Sequence, residues 1–185
     1  MNSAGFTLIE LMITVSILAI ITAITVPSFG NFADNSHVQQ AALNVTADIE
    51  LVKSKSLGGA YPSGGPCNTT PKVAGCRATW GIEFCPGGDT SMYTLKAYNI
   101  NGAVFGGGEL ELSTSDTVTK TLPTNISFSS TGCSTSGRWV FSRITGLPIF
   151  PSSGTDSVTL VDTSGNLSRT ITINASSGKL RFSNP

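Results

Sequence analysis

The sequence predicts an α+β protein: one long N-terminal helix, apolar in its first half and amphipathic in its second, packed on a C-terminal antiparallel β-sheet domain. Three observations predict it. Residues 6–26 are an apolar run of twenty-one residues with Glu10 as the only charge. Residues 34–57 keep a helical period but confine their apolar side chains to one stripe. Beyond residue 58 come short alternating segments separated by clusters of Gly, Pro, Ser and Asn.

The apolar run comes first. At about 1.5 Å of rise per residue, a helix of that length covers roughly 31 Å, the thickness of a bilayer's hydrocarbon core. Nothing hydrophobic enough to be a second span follows, so the chain reads as one membrane segment carrying one polar domain. Glu10 is the anomaly. A carboxylate in such a segment costs ~2–3 kcal/mol, less near its end, and becomes tolerable when a cation meets it. No Lys or Arg precedes Lys53. The remaining cation is a new α-amino group, made by cutting the chain just ahead of the run. Gly5 followed by Phe6 suits such a cut, because a peptidase cleft approaches the backbone closely at glycine.

Pro27, with Gly30 just after it, predicts a kink, since proline removes a backbone donor and clashes with the preceding turn. Val38, Ala42, Val45, Ile49 and Val52 then recur at steps of four and three, while Asn35, Gln39, Asn44, Asp48, Glu50, Lys53 and Lys55 fill the other faces. Gly58-Gly59 ends the helix. Residues 58–78 are a loop rich in Gly, Pro, Ser and Thr. Strands are expected at 79–85, 92–98, 109–112, 126–129, 138–144, 157–162, 168–174 and 179–182, the last three as a meander of hairpins.

All four cysteines, Cys67, Cys76, Cys85 and Cys133, lie beyond the span. An even count in an exported domain favours two disulfides, for which three connectivities are open; Cys67–Cys76 with Cys85–Cys133 is preferred. A zinc site fits poorly, because zinc ligands cluster in close pairs and no Cys-x-x-Cys occurs. Formal net charge is zero, yet residues 1–119 hold five Lys/Arg against nine Asp/Glu and residues 120–185 six against two. That excludes a globally basic nucleic-acid binder and leaves room for a local basic patch.

The stretch Gly5-Phe6-Thr7-Leu8-Ile9-Glu10, followed by an apolar helix with Pro27 at its end, resembles the class III signal of type IV pilins and type II secretion pseudopilins. The resemblance implies a pilin fold divided as leader 1–5, transmembrane half-helix 6–27, amphipathic half-helix 28–57 and β-rich head 58–185. It implies cleavage by a prepilin peptidase between Gly5 and Phe6, and N-methylation of Phe6. It also implies that the freed amine of one subunit neutralises Glu10 of a neighbour during assembly. The partners implied are that peptidase, other pilin or pseudopilin subunits, the inner-membrane assembly platform and membrane lipid. The locations implied are the bacterial inner membrane, with the head in the periplasm, and then the filament. The leader lacks the Lys or Arg that pilin leaders usually carry, so either the start lies upstream or other cues orient the span.

A more diffuse likeness, to pseudopilin H and the FimT-like minor pilins, covers most of the chain. It rests on 38–57 with Lys53-Ser54-Lys55-Ser56, on Trp80-Gly81-Ile82-Glu83-Phe84, on Ile126-Ser127-Phe128 followed by Gly132, and on Arg169-Thr170-Ile171-Thr172-Ile173 with Gly178-Lys179-Leu180-Arg181. In FimT-like minor pilins a C-terminal Gly-Arg-x-Arg type motif is implicated in DNA binding during uptake. Here Lys179 replaces the first Arg, which keeps the charge and loses the planar fork. With Arg169, and with Arg143 on a neighbouring strand, Lys179 and Arg181 make a candidate basic patch. Ordinary strand alternation, with Lys179 and Arg181 outward, explains the same residues.

Catalysis finds little support. His37, the only histidine, starts the polar half-helix, and no nucleophile elbow, Walker loop or metal-spaced His/Cys set occurs. Asp156, Asp162 and Glu109 could join a calcium site, but no loop spaces its oxygens regularly. No cofactor, catalytic residue or metal ligand is assigned.

Overall fold

A computed structural model describes residues 7–60, 62, 78–99, 110–112, 116–130, 133, 137–149, 155–174 and 176–183, with side chains at all of these except 26–31, 99, 110–112 and 155. The architecture is α+β. Among the described residues one α-helix, α1 (Leu8–Leu57), precedes ten strands: β1 (Ala78–Phe84), β2 (Met92–Asn99), β3 (Leu110–Leu112), β4 (Val118–Thr121), β5 (Ile126–Phe128), β6 (Arg138–Phe141), β7 (Pro148–Ile149), β8 (Thr155–Asp162), β9 (Ser168–Asn174) and β10 (Leu180–Ser183), with a 3-10 turn at Pro86–Gly88 between β1 and β2. The chain forms two compact units, Met1–His37 and Val38–Pro185, and α1 contributes to both.

In the second unit the strands make two antiparallel sheets. One runs β3-β2-β1-β6-β7, with β4 sharing the β3 edge of β2; the other runs β10-β9-β8-β5. Residues 92–95 of β2 pair with β4 and residues 97–99 with β3. The final meander is present as β8-β9-β10. Two strands escape the alternation signal: β4, whose residues are mostly exposed, and β7, only two residues long and begun by Pro148. The segment expected at 138–144 stops at Phe141, because Arg143, Ile144 and Thr145 form the turn into β7.

The core is built from the stripe on α1 and the inward residues of both sheets. Val38, Ala42, Val45, Ile49 and Val52 are buried, with Ala41 beside them. Phe84 stacks edge-to-face on Phe128 at 5.5 Å and on Trp139 at 5.0 Å, so a β5 ring fills the space above β1 and β6. Near its end α1 is latched to β1: Ser56 Oγ donates to Trp80 O and accepts from Trp80 N, both at 3.1 Å. The helix then closes in a Schellman motif. Ala60 N donates to Lys55 O at 3.2 Å and Gly59 N to Ser56 O at 3.1 Å, with Gly59 at φ +63 supplying the left-handed residue.

One expectation fails on α1. Asp48, grouped above with the residues off the apolar stripe, is 7% exposed. Its carboxylate accepts from Tyr93 Oη at 2.6 Å and from Lys120 Nζ at 2.6 and 2.8 Å. The partners come from β2 and β4, so a polar clasp joins helix to sheet. A buried carboxylate is stable there because its lone pairs find donors. Cys85 and Cys133 form a disulfide, tying the end of β1 to the segment after β5. Cys67 and Cys76 lie outside the described residues.

Candidate functional site

The first candidate site is the start of α1. Gly5 and Phe6 lie outside the described residues, so the geometry begins at Thr7. Thr7 is the N-cap and Glu10 the third helical residue, and the two satisfy each other. Glu10 N donates to Thr7 Oγ1 at 3.4 Å; the carboxylate accepts from Thr7 N at 3.3 Å and from Thr7 Oγ1 at 3.1 Å. This is a capping box. It answers locally for donors that a helix start leaves without partners. The signal for it is in the sequence, Thr7-Leu8-Ile9-Glu10 ahead of an apolar run, and is hidden there by the more conspicuous charge of Glu10.

The stretch Leu8–Thr25 is long and apolar enough to cross a membrane, and none of it is buried within the protein. Its hydroxyls are neutralised by the helix itself. Thr14 donates to Leu11 O, Ser16 to Met12 O, Thr22 to Leu18 O and Thr25 to Ile21 O, at 2.8–3.0 Å. Glu10 is therefore the exception in this stretch, because backbone carbonyls cannot pair a carboxylate. Pro27 sits inside the helical backbone of α1.

The second candidate is the β9–β10 hairpin. Asn174 Oδ1 accepts from the backbone N–H groups of Ser176 and Ser177, and Gly178 N donates to Asn174 O at 2.7 Å, so Asn174 ties the far side of the turn to β9. Lys179 and Arg181 are exposed on it. Arg169 does not join them. It pairs with Leu160 and shares the parity of the buried Ile171 and Ile173, on the core side of β9; Arg181 pairs with Thr172, on the other side. Arg169 is half-buried and its Nη1 donates to Ser168 O at 2.8 Å. Arg143 lies elsewhere, with Nη2 donating to Gly59 O at 3.2 Å beyond the helix end.

The remaining candidates are absorbed by structure. Asp156 accepts from Trp139 Nε1 at 2.8 Å, and Asp162 accepts from Ser164 Oγ and from Leu167 N. Those bonds hold the Asp162 carboxyl below the usual carboxylate range, the bond from Ser164 counting most. Glu109 lies outside the described residues. His37 is exposed, and no cluster of three or more His, Cys, Asp or Glu occurs among the described residues.

Comparison with known proteins bears on the first site. Residues 1–26 match the family described as "Prokaryotic N-terminal methylation motif". Fimbrial protein Q of Moraxella bovis is 31% identical over 110 residues, which cover 58% of this chain and 66% of that protein. The chain thus spans just under two thirds of that relative's length. No solved structure matches the chain significantly. In its N-terminal methylation motif, its apolar first helix and its likeness to a fimbrial protein, this chain is similar to type IV pilins.

Proposed function

We propose that the chain is a minor pilin or pseudopilin, a structural subunit of a type IV pilus or type II secretion pseudopilus. Prepilin peptidase cuts it after Gly5 and methylates Phe6. The cut subunit waits in the bacterial inner membrane with its head in the periplasm, then leaves lipid for a filament by packing α1 against the helices of other subunits, driven by the assembly platform. Pro27 bends the helix so that span and head fit one filament. Its role is mechanical, with no reaction to catalyse.

Glu10 carries this reading. It is the one charge in an exposed apolar stretch, and a neighbour's freed amine would supply the cation it lacks. In the apolar medium of packed helices an ion pair is worth far more than in water. Glu10→Gln keeps an acceptor for Thr7 and removes the charge. Mass spectrometry of the native protein should find a methylated Phe6 at the N-terminus, and Glu10→Gln should be cut normally yet fail to enter filaments. Normal incorporation of Glu10→Gln, or native material that begins at Met1, overturns the proposal.

A second reading is favoured by the exposure of Lys179 and Arg181 together on the last hairpin: a FimT-like minor pilin that binds DNA during uptake. Gel shifts with the Lys179→Ala/Arg181→Ala double variant test it, and unchanged binding removes it.

A further inference from the structure

Strand β4 is an open edge. Among the described residues it pairs with β2 alone, and Val118, Thr119 and Thr121 are exposed. Leu122 N donates to Ser91 O at 2.7 Å, which fixes the phase of the ladder. Val118 and Lys120 turn their backbone groups toward β2, and Thr119 and Thr121 turn theirs outward. Such an edge is ordinarily guarded by a charge or a proline. Lys120, the one charge on β4, does not guard it, because its Nζ is drawn across to Asp48. Beside the edge runs a groove of about 530 Å³. One wall is α1, with Asn44 and Ala47, the other is β4 with Leu122, and the buried Asp48 and Tyr93 also line it. Two of its groups keep donors to spare. Lys120 gives two N–H bonds to Asp48 and has a third, on a side chain 42% exposed. Asn44 Oδ1 accepts from Gln40 Nε2 at 3.1 Å, which leaves its amide N–H groups.

We propose that this groove takes an extended peptide segment of another protein as an added antiparallel strand on β4, with an aspartate facing Lys120. Main-chain bonds to Thr119 and Thr121 give the affinity, and alternate side chains entering the groove give the specificity. The residue opposite Lys120 and those two places away share its side of the sheet. The central one meets the spare N–H of Lys120, and opposite charges directly across a ladder stabilise it. The outer two meet Val118 and Leu122 and are therefore apolar. A second copy of β4 fits worse. The self-pairing that uses Thr119 and Thr121 of both copies puts Lys120 directly opposite Lys120, and like charges so placed are destabilising. The groove lies within the second unit and makes no use of Glu10, so it adds a binding role to the assembly role proposed above.

The test titrates the acetylated and amidated peptide Val-Thr-Asp-Thr-Val into the full-length chain in detergent and follows the backbone amide NMR signals of Thr119 and Thr121. Both should shift saturably, and both amides should exchange more slowly with solvent. Methylating the backbone nitrogens of the peptide's two threonines, which bond to β4, should abolish binding. Methylating that of its aspartate, which points away from β4, should not. Replacing the aspartate by lysine should weaken binding about fivefold. Thr121→Pro removes an outward N–H that the ladder with β2 does not use, so the fold tolerates it. It should weaken binding about fivefold, the worth of one net hydrogen bond. A melting curve shows whether the variant is folded, and the peptide arms need no variant at all. Absence of shifts at Thr119 and Thr121, or equal binding by all the peptides, overturns the proposal. So does sedimentation in which the parent chain dimerises and folded Thr121→Pro does not, which gives the edge to a second copy.

Discussion

Asp48→Ala tests whether the polar clasp, and not the apolar stripe alone, fixes α1 on the sheet. Asp48 is 7% exposed and accepts from Tyr93 and Lys120. A hydrogen bond to a charged partner is worth about 1.5–3 kcal/mol, and the buried Tyr93 hydroxyl would lose its acceptor. The Lys120 side chain is 42% exposed and can turn to water, so the lost ion pair adds at most about 1 kcal/mol. The expected loss is about 2–4 kcal/mol. For a head of this size each kcal/mol lowers the melting temperature by about 2–4 °C. The chain's two tryptophans, Trp80 and Trp139, are both buried in the second unit, so fluorescence during thermal unfolding of the full chain in detergent reports on the head. The triple variant Asp48→Leu/Tyr93→Phe/Lys120→Met removes every polar partner together and should recover most of the loss, as apolar replacements of buried ion pairs do. A cost below about 0.5 kcal/mol for Asp48→Ala would refute the reasoning, because a satisfied buried acceptor cannot be that cheap to delete.

Burial first, then the bond to Asp48 and its charge, pushes the Tyr93 hydroxyl well above its ordinary range near pH 10. Its stabilisation is therefore full below about pH 10 and lost as pH rises beyond it, so Tyr93→Phe should flatten the alkaline decline in melting temperature. Removing the Cys85–Cys133 link, whose ends are 48 residues apart, should cost about 4 kcal/mol on loop entropy, measured by denaturant unfolding of Cys85→Ser/Cys133→Ser. Gly146→Ala places a Cβ 2.8 Å from Leu57 at φ +65, whereas Gly165→Ala, at φ +72, meets nothing within 4 Å. Both should lose about 1–2 kcal/mol to the left-handed backbone. Melting should show Gly146→Ala the worse of the two, by the cost of moving Leu57.

The helix stripe, the helix end and the closing meander were legible because each is local: steps of four and three, a Gly pair, alternation between turns. The misses are non-local. Asp48 falls off the apolar stripe because it is charged, and its burial depends on Tyr93 and Lys120, which lie 45 and 72 residues away. Strand β4, Val118-Thr119-Lys120-Thr121, shows no apolar alternation because it is an edge that faces solvent, and what recruits it is the pairing with β2. Arg169 is a different error. Its parity with Ile171 and Ile173 was readable, but grouping cations by proximity in sequence placed it with Arg181, on the opposite side of the sheet.

The start of α1 holds the sharper distinction, because two physical roles converge on Glu10. In one chain the carboxylate accepts from Thr7 and caps the helix; in the proposed filament it meets an amine from another chain. A cap is worth about 1 kcal/mol. A charge-assisted bond is roughly twice as strong as a neutral one and stronger still away from water. The amine should therefore displace Thr7, which can go on capping Glu10 N through its own hydroxyl. Thr7→Ala removes the cap and leaves the charge. It should lower helicity at the N-terminus, seen as faster amide exchange over residues 8–11, while filament incorporation persists at a reduced level. Glu10→Ala removes both and should abolish incorporation. If Thr7→Ala is as severe as Glu10→Ala, then Glu10 serves the helix start alone, and the neighbour's amine has no part in assembly.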